Sequence, residues 1–238
     1  MRTGFWPLAP AGSTILLSIA MEIPVAKPEP LAEASDSCKQ APRPRGRPRV
    51  FDREQALETA MRLFWCRGYE ATSLSELTAA MGIAAPSLYA AFGSKEQLFR
   101  AALARYIDGY RCNGGRVLAD ESMSTRQAFE AFFEAITQSF VESEQRSGCM
   151  LIAAEAGGLP AELREELARY RSALENQFVL RIERGMRVGD LPADTDAAAL
   201  AKFLTALTQG LSIQARDGAT TEQLAQIVRI AMRAWPSA

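Results

Sequence analysis

Between Asp52 and Leu98 the chain is divided by its own punctuation into four short helical pieces. Asp52 followed by Gln55, and Ser73 followed by Glu76, have the spacing of helix N-terminal capping boxes. Gly68, Gly82 and Gly93 stand where helices end, with Gly68 expected in a left-handed conformation. Pro86 suits a first helical turn, where its missing N–H costs nothing. Ser94 with Gln97 opens the fourth piece. Between these marks, apolar residues recur at helical spacing. Ala56, Ala60, Leu63 and Phe64 share a face, with Leu57 and Met61 beside it. Leu74, Leu77 and Met81 form the second inward face, and Ile83 plugs the turn. Leu88 and Phe92 form the third, and Leu98, Phe99, Ala102 and Tyr106 the fourth.

A long helix, a short one, a tight turn and a second short one form the order of a helix-turn-helix. In that motif the second short helix meets base edges and the first crosses the DNA backbone. The reading helix is then about Ala85 to Phe92. With Leu88 and Phe92 inward, Ala85, Pro86, Ser87, Tyr89, Ala90 and Ala91 face the duplex. Ser87 can hydrogen bond, and alanine touches only thymine methyls or permits close approach. Tyr89 suits a phosphate through its hydroxyl. Lys95 adds charge to a helix N-terminus, which also suits phosphate. Thr72 and Ser73 offer a similar contact at the preceding helix.

Charge distribution points the same way. From Lys39 to Arg105 there are eleven basic and six acidic residues, although the whole chain carries a net charge of −1. A basic block beside acidic flanks is expected when one domain alone meets phosphate. The arm Arg43, Arg45, Arg47, Arg49 reads either as an electrostatic tether or as a minor-groove insertion by Arg45 or Arg47.

Other classes are excluded by what is missing. There is no histidine, so histidine-based catalysis and metal ligation are ruled out. The cysteines Cys38, Cys66, Cys112 and Cys149 are scattered and form no CxxC. They fit neither a disulfide framework nor a zinc site, and a reducing cytoplasm suits them. Cys66 and Cys149 read either as buried apolar filler or as thiol sensors. No glycine-rich nucleotide fingerprint occurs. We therefore expect no enzyme, no metal and no cofactor. No apolar run reaches membrane-spanning length. Residues 1–48 are expected to be a disordered extension ending in the basic arm, or in part an over-long start with Met21 as initiator. Ile15 to Ala20 is too short an apolar run for a secretory signal.

Beyond Gly114-Gly115 the pattern stays helical. Phe129, Phe132, Phe133, Ile136 and Phe140 form one stripe. Leu163, Leu167, Tyr170, Leu174, Phe178, Ile182 and Met186 form another, on a long helix begun by Pro160 and ended by Gly189. Leu200, Phe203, Leu204, Leu207 and Leu211 mark a helix capped near Asp194, and Leu224, Ile227, Val228, Ala231 and Trp235 mark the last. The fold class is all-α, a small N-terminal helix-turn-helix domain (49–98) before a larger helical bundle (99–238).

The residues Ala60, Phe64, Gly68-Tyr69, Thr72-Ser73, Leu77, Gly82-Ile83, Ser87-Leu88-Tyr89, Phe92 and Ser94-Lys95 together resemble the DNA-binding domain of the TetR/AcrR family of bacterial transcriptional regulators. Gly148-Cys149-Met150 and the last two helices are similar to its effector and dimerisation domain. The resemblance implies phosphate contacts from Tyr89 and Lys95, with base reading along Ala85 to Ala91. Ala84 stands where many members carry Ser or Thr, and Ala90-Ala91 where many carry a polar side chain. Specificity is therefore expected to rest on Ser87, backbone contacts and DNA shape. It also implies a homodimer, with Phe203, Ala206, Leu207, Gly210, Leu224, Ile227, Val228 and Ala231 at the interface or simply in the bundle core. Two reading helices would then meet a palindromic operator. An apolar effector cavity is expected among Phe132, Phe133, Phe140, Cys149, Ile152, Tyr170, Leu174 and Phe178, if these are not ordinary core. The expected function is a repressor of the family, released from double-stranded operator DNA by a small apolar molecule. The alternatives are a cysteine-based redox or electrophile sensor and a TetR-like activator.

Overall fold

A computed structural model describes residues 52–110, 114–142, 148–155 and 158–236. The extension, with Arg45 and Arg47, and the cysteines Cys38 and Cys112 lie outside the described residues. Among the described residues there are helices and turns and no strand.

The first helix, α1 (Arg53–Arg67), starts where the Asp52 carboxylate accepts from the amides of Glu54 and Gln55, at 3.0 Å each. Its buried residues Ala56, Leu57, Ala60, Met61, Phe64 and Trp65 recur at helical spacing and make one wide apolar face. Gly68 ends it at φ 80° and ψ 173°, a positive-φ extended conformation rather than the expected left-handed helical one. Helix α2 (Leu74–Met81) has the full capping box. Ser73 Oγ accepts from the Glu76 amide, and the Glu76 carboxylate accepts from the Ser73 amide. Gly82 closes α2 in the left-handed region, and the Ile83 amide reaches back to Thr78 O.

Helix α3 (Ala85–Phe92) has no side-chain cap at Ala84, so Pro86 alone favours its first turn. Gly93 ends it at φ 78° and ψ −75°, with the Ser94 amide donating to Phe92 O at 3.1 Å. This is a γ-turn of the rare positive-φ kind, which glycine tolerates. Ser94 Oγ then accepts from the Gln97 amide at the start of α4 (Lys95–Tyr110).

Two short helices follow at different points, α5 (Arg116–Ala119) before α6 (Thr125–Glu142), and α7 (Met150–Ala153) before α8 (Ala161–Val188). Their length puts α5 and α7 below what periodicity can reveal. The bundle closes with α9 (Ala197–Arg216), α10 (Thr221–Ala231) and a 3-10 turn at Met232–Ala234. The α9 cap is Asp196, whose carboxylate accepts from the Ala199 amide at 2.9 Å, two residues beyond the expected position.

Two cores hold these helices. The first joins Phe64, Leu77, Leu88, Phe92, Leu98 and Phe99 with Met150 of α7 and with Leu163 and Leu167 of α8. Each large side chain buried there contributes about 1.5–3 kcal/mol relative to exposure. The second joins Phe129, Phe132, Phe133 and Phe140 with Phe178 and Ile182 of α8, Leu204 and Leu211 of α9, Leu224 and Trp235. Helix α8, 28 residues and about 42 Å long, therefore enters both cores. The Arg181 guanidinium on α8 is buried and donates to Met123 O at 2.6 Å and Ser124 O at 3.1 Å, which ties down the turn before α6.

Candidate nucleic-acid interface and regulatory bundle

Helix α3 lies on the first core through Leu88 and Phe92, which are 0% and 7% exposed. The opposite side of the helix carries Ala85, Pro86, Ser87, Tyr89 and Ala90, all exposed. Tyr89 is 47% exposed. The result is a short rod with small side chains at its centre and one long phenol beside them. A backbone can approach a groove closely along such a face.

Three expected contact residues lie elsewhere or are already engaged. Thr72 is fully buried, and its hydroxyl donates to Gly68 O at 2.8 Å, so its side chain cannot reach a phosphate. Ala91 is half-buried and packs on the first core, because it follows Leu88 by three positions and shares its face. Ser73 is exposed, but its hydroxyl is engaged with Glu76 in the capping box.

Lys95 begins α4 with its ammonium 4.4 Å from the centre of the Tyr69 ring. Burial lowers its pKa, and the carboxylates of Glu70 and Glu76 work against that fall. The cation is held rather than free, against the segment that joins α1 to α2. The Glu76 carboxyl pKa is lowered from its ordinary value. Its bond from the Ser73 amide is the largest cause, followed by the Ser73 hydroxyl and Arg67, with which it forms an ion pair. Arg53 was not anticipated. Its guanidinium sits 5.0 Å from the Phe92 ring centre, so a second cation lies at the same C-terminal end of α3 that Lys95 follows. Its place as the first residue of α1, next to the basic arm, was the available signal.

The expected effector cavity is not formed where the aromatic residues cluster. Phe132 meets Phe133 and Phe178 edge-on, at centroid distances of 5.4 and 5.2 Å. Phe133 and Phe178 are fully buried, and Phe140 is 4% exposed. These four rings are packed core, because edge-to-face aromatic contacts fill the space between α6 and α8. Cys149, Ile152 and Leu174 instead line a gap of about 20 Å³ with Leu151, Arg171, Thr205, Thr208 and Gln209. Tyr170 is half-buried against the first core. Thr205, Thr208 and Gln209 in that lining were not anticipated, since they sit on α9 between its apolar residues. Thr205 Oγ1 is buried without a hydrogen-bond partner.

Of the expected interface residues, Leu224 is fully buried in the second core and cannot meet another chain. Leu207, Ile227 and Val228 are partly buried against that core, and Ala231 is half-buried. Phe203, Ala206 and Gly210 are exposed, and Ile213 continues their stripe at 48% exposure. On α10, Ile230 is 57% exposed. Ile213 and Ile230 were not anticipated, although Phe203, Ala206, Gly210 and Ile213 have the spacing of one helix face.

Comparison with known proteins agrees with this geometry. Residues 56–102 match the family described as bacterial regulatory proteins, tetR family, and residues 126–231 match the tetracyclin repressor-like C-terminal domain. The HTH-type transcriptional repressor ComR of Escherichia coli (strain K12) is 40% identical over 209 residues, covering 85% of this chain and 98% of that protein. BdcR, an HTH-type transcriptional repressor of the same organism, is 32% identical, covering 78% and 90%. A cysteine-substituted form of the TetR family regulator CifR, solved with a 26-base-pair double-strand operator, superposes with a TM-score of 0.75. It is 43% identical, and the match covers 80% of this chain and all of that one. With a helix-turn-helix ahead of an all-helical bundle, and relatives matched over nearly their full length, this chain belongs to the TetR family of bacterial regulatory proteins and is a DNA-binding transcription regulator rather than an enzyme.

Proposed function

We propose that the chain is a cytoplasmic repressor that binds a palindromic operator as a homodimer and is released by a small molecule. Residues 49–98 act as the reading head and 99–238 as the regulatory and dimerisation part. The observation that carries the reading is α3. Its Leu88 and Phe92 are locked in the core while Ala85, Pro86, Ser87, Tyr89 and Ala90 are exposed, with Arg53 packed on Phe92 at its C-terminal end and Lys95 three residues beyond. The names of ComR and BdcR as repressors and the operator complex of CifR support it.

In this reading Tyr89 and Lys95 hold phosphate, Ser87 reads a base edge, and the basic arm adds salt-dependent affinity. The exposed stripe Phe203, Ala206, Gly210 and Ile213 carries the partner protomer. Effector binding would act by favouring one of two spacings of the reading heads. The gap between α7, α8 and α9 is far smaller than the roughly 300–1,000 Å³ of a formed ligand pocket. An effector would therefore open α7 away from α9. The lining favours a small, mainly apolar molecule with one acceptor for the Thr205 hydroxyl. The thiol-sensing alternative draws less support. Burial pushes the Cys149 thiol pKa up, against the pull of the Tyr106 hydroxyl and the Leu151 and Ile152 amides, which disfavours a reactive thiolate.

The test is selection of bound duplexes from a random-sequence pool, followed by anisotropy titrations. The expected sites have two-fold symmetry. Tyr89→Phe should weaken every sequence about 3–10-fold, and Ser87→Ala should reorder preference among sites by about 5-fold or more. Recovery of asymmetric single sites, or indifference to both substitutions, would refute the reading.

A further inference from the structure

Gly148, Cys149 and Met150 are contiguous, yet each is fastened to a different helix. The Gly148 carbonyl accepts from Trp65 Nε1 of α1 at 2.9 Å, in a buried bond. The Cys149 amide donates to Ser212 Oγ of α9 at 2.7 Å. The Met150 amide donates to the Tyr106 hydroxyl of α4 at 3.1 Å. One residue later, the Leu151 carbonyl accepts from Arg171 of α8 at 3.0 Å. The aromatic donor and the aromatic acceptor also brace each other, since the Trp65 and Tyr106 rings meet edge-on at 5.0 Å.

The contact with α9 is closely fitted. Gly148 has φ +62°, and a Cβ there would fall 2.5 Å from the Ser212 backbone oxygen and 2.6 Å from its hydroxyl. Ser212 is fully buried, while its neighbour Ile213 points outward on the exposed stripe of the same helix. The strap therefore links the helix that carries the stripe to α1 and α4, between which the reading head is built. Cys149 also forms one wall of the small gap whose opposite wall is Thr205, Thr208 and Gln209 of α9. Any molecule that widens this gap acts first on the strap.

We propose that Trp65, Tyr106 and Ser212 are positioning residues for operator recognition, and that through the Gly148–Met150 strap they set how far apart the two reading heads of the dimer are held. This rests on the homodimer reading above. The strap touches no DNA. Its bonds fix α1 and α4 against α9, and in a two-fold dimer the position of α9 defines the axis. Loosening a bond lets each head rock, so heads held at one spacing become heads that tolerate several.

The experiment uses the full chain and the duplex that the wild-type protein selects from a random pool. That duplex is rebuilt with its two half-sites moved apart or together by one and by two base pairs. Trp65→Phe keeps an aromatic ring and removes the donor to Gly148. Ser212→Ala removes the acceptor for Cys149. Phe129→Leu, in the second core and away from the strap, is a control for general destabilisation. Wild type should prefer its own spacing by at least 10-fold. Both strap variants should lower that ratio at least 3-fold, while Phe129→Leu, matched in thermal midpoint, should keep it. An unchanged ratio in both strap variants, or an equal loss in the control, overturns the proposal while leaving the dimer reading intact. A wild-type protein indifferent to spacing removes the dimer reading and the strap proposal together.

Discussion

Gly185 and Cys149 each show how the surroundings of a single residue decide its behaviour. Gly185 lies inside α8, and a Cβ there would sit 2.3 Å from Thr125 Oγ1 and 3.0 Å from Thr125 Cβ. Thr125 opens α6 with its amide and hydroxyl both donating to the Asp190 carboxylate, at 2.9 and 3.1 Å. Alanine is the better helix former by about 1 kcal/mol, but overpacking a closed contact costs about 1–3 kcal/mol. Gly185→Ala should therefore lower the urea midpoint, and a higher midpoint would mean that Thr125 yields easily. Cys149 tests the thiol chemistry. With its pKa raised by burial, it should alkylate at least 10-fold more slowly at pH 7.5 in the folded protein than in urea, by mass-resolved iodoacetamide labelling. Equal rates would favour a sensing thiol after all.

At the scale of an element, α2 depends on its cap more than its size suggests. It has eight residues and one fully buried side chain, Leu77. Ser73→Ala should cost about 1 kcal/mol of stability, read from denaturant titration. The Glu76 carboxylate of the same box has a depressed pKa in the folded protein. Glu58, bonded to Arg105 and Arg62, is also depressed, since those bonds outweigh the upward effect of its burial. For a depressed carboxylate, the stabilisation is present above the unfolded pKa, near 4.5, and is lost as pH falls through the folded value. Thermal midpoints should therefore drop as pH goes below about 4.5, and Ser73→Ala should flatten part of that drop. A pH profile identical to wild type would remove Glu76 from the account.

At the scale of the molecule, the proposed dimer would bury the exposed apolar stripe of α9. Phe203 and Ile213 are 45% and 48% exposed, while Gly210 between them has open space where a Cβ would stand. Buried apolar anchors near the centre of an interface are typically worth about 2 kcal/mol or more. Ile213→Glu should raise the dimer dissociation constant at least 10-fold in sedimentation experiments and leave helix content unchanged. A dimer as tight as wild type would place the interface on another face.

The longer helices, most of their caps and the extent of α3 were legible in the sequence because they rest on contacts between residues a few positions apart. Ser73 and Glu76 meet within one turn, and Gly82 and Gly93 end helices through their own backbone freedom. The all-α class and the resemblance to the family followed from that local pattern. Which side of each apolar stripe would be covered was settled by elements distant in sequence. Thr72 and Leu224 were buried and Ala91 packed against the first core, and Phe132, Phe133 and Phe178 closed on one another where a cavity was expected. Local spacing says that a residue lies on a face but not what will fill the space opposite it. Trp65 and Gly148 are 83 positions apart, and only the packing of α1 against α7 brings donor to carbonyl.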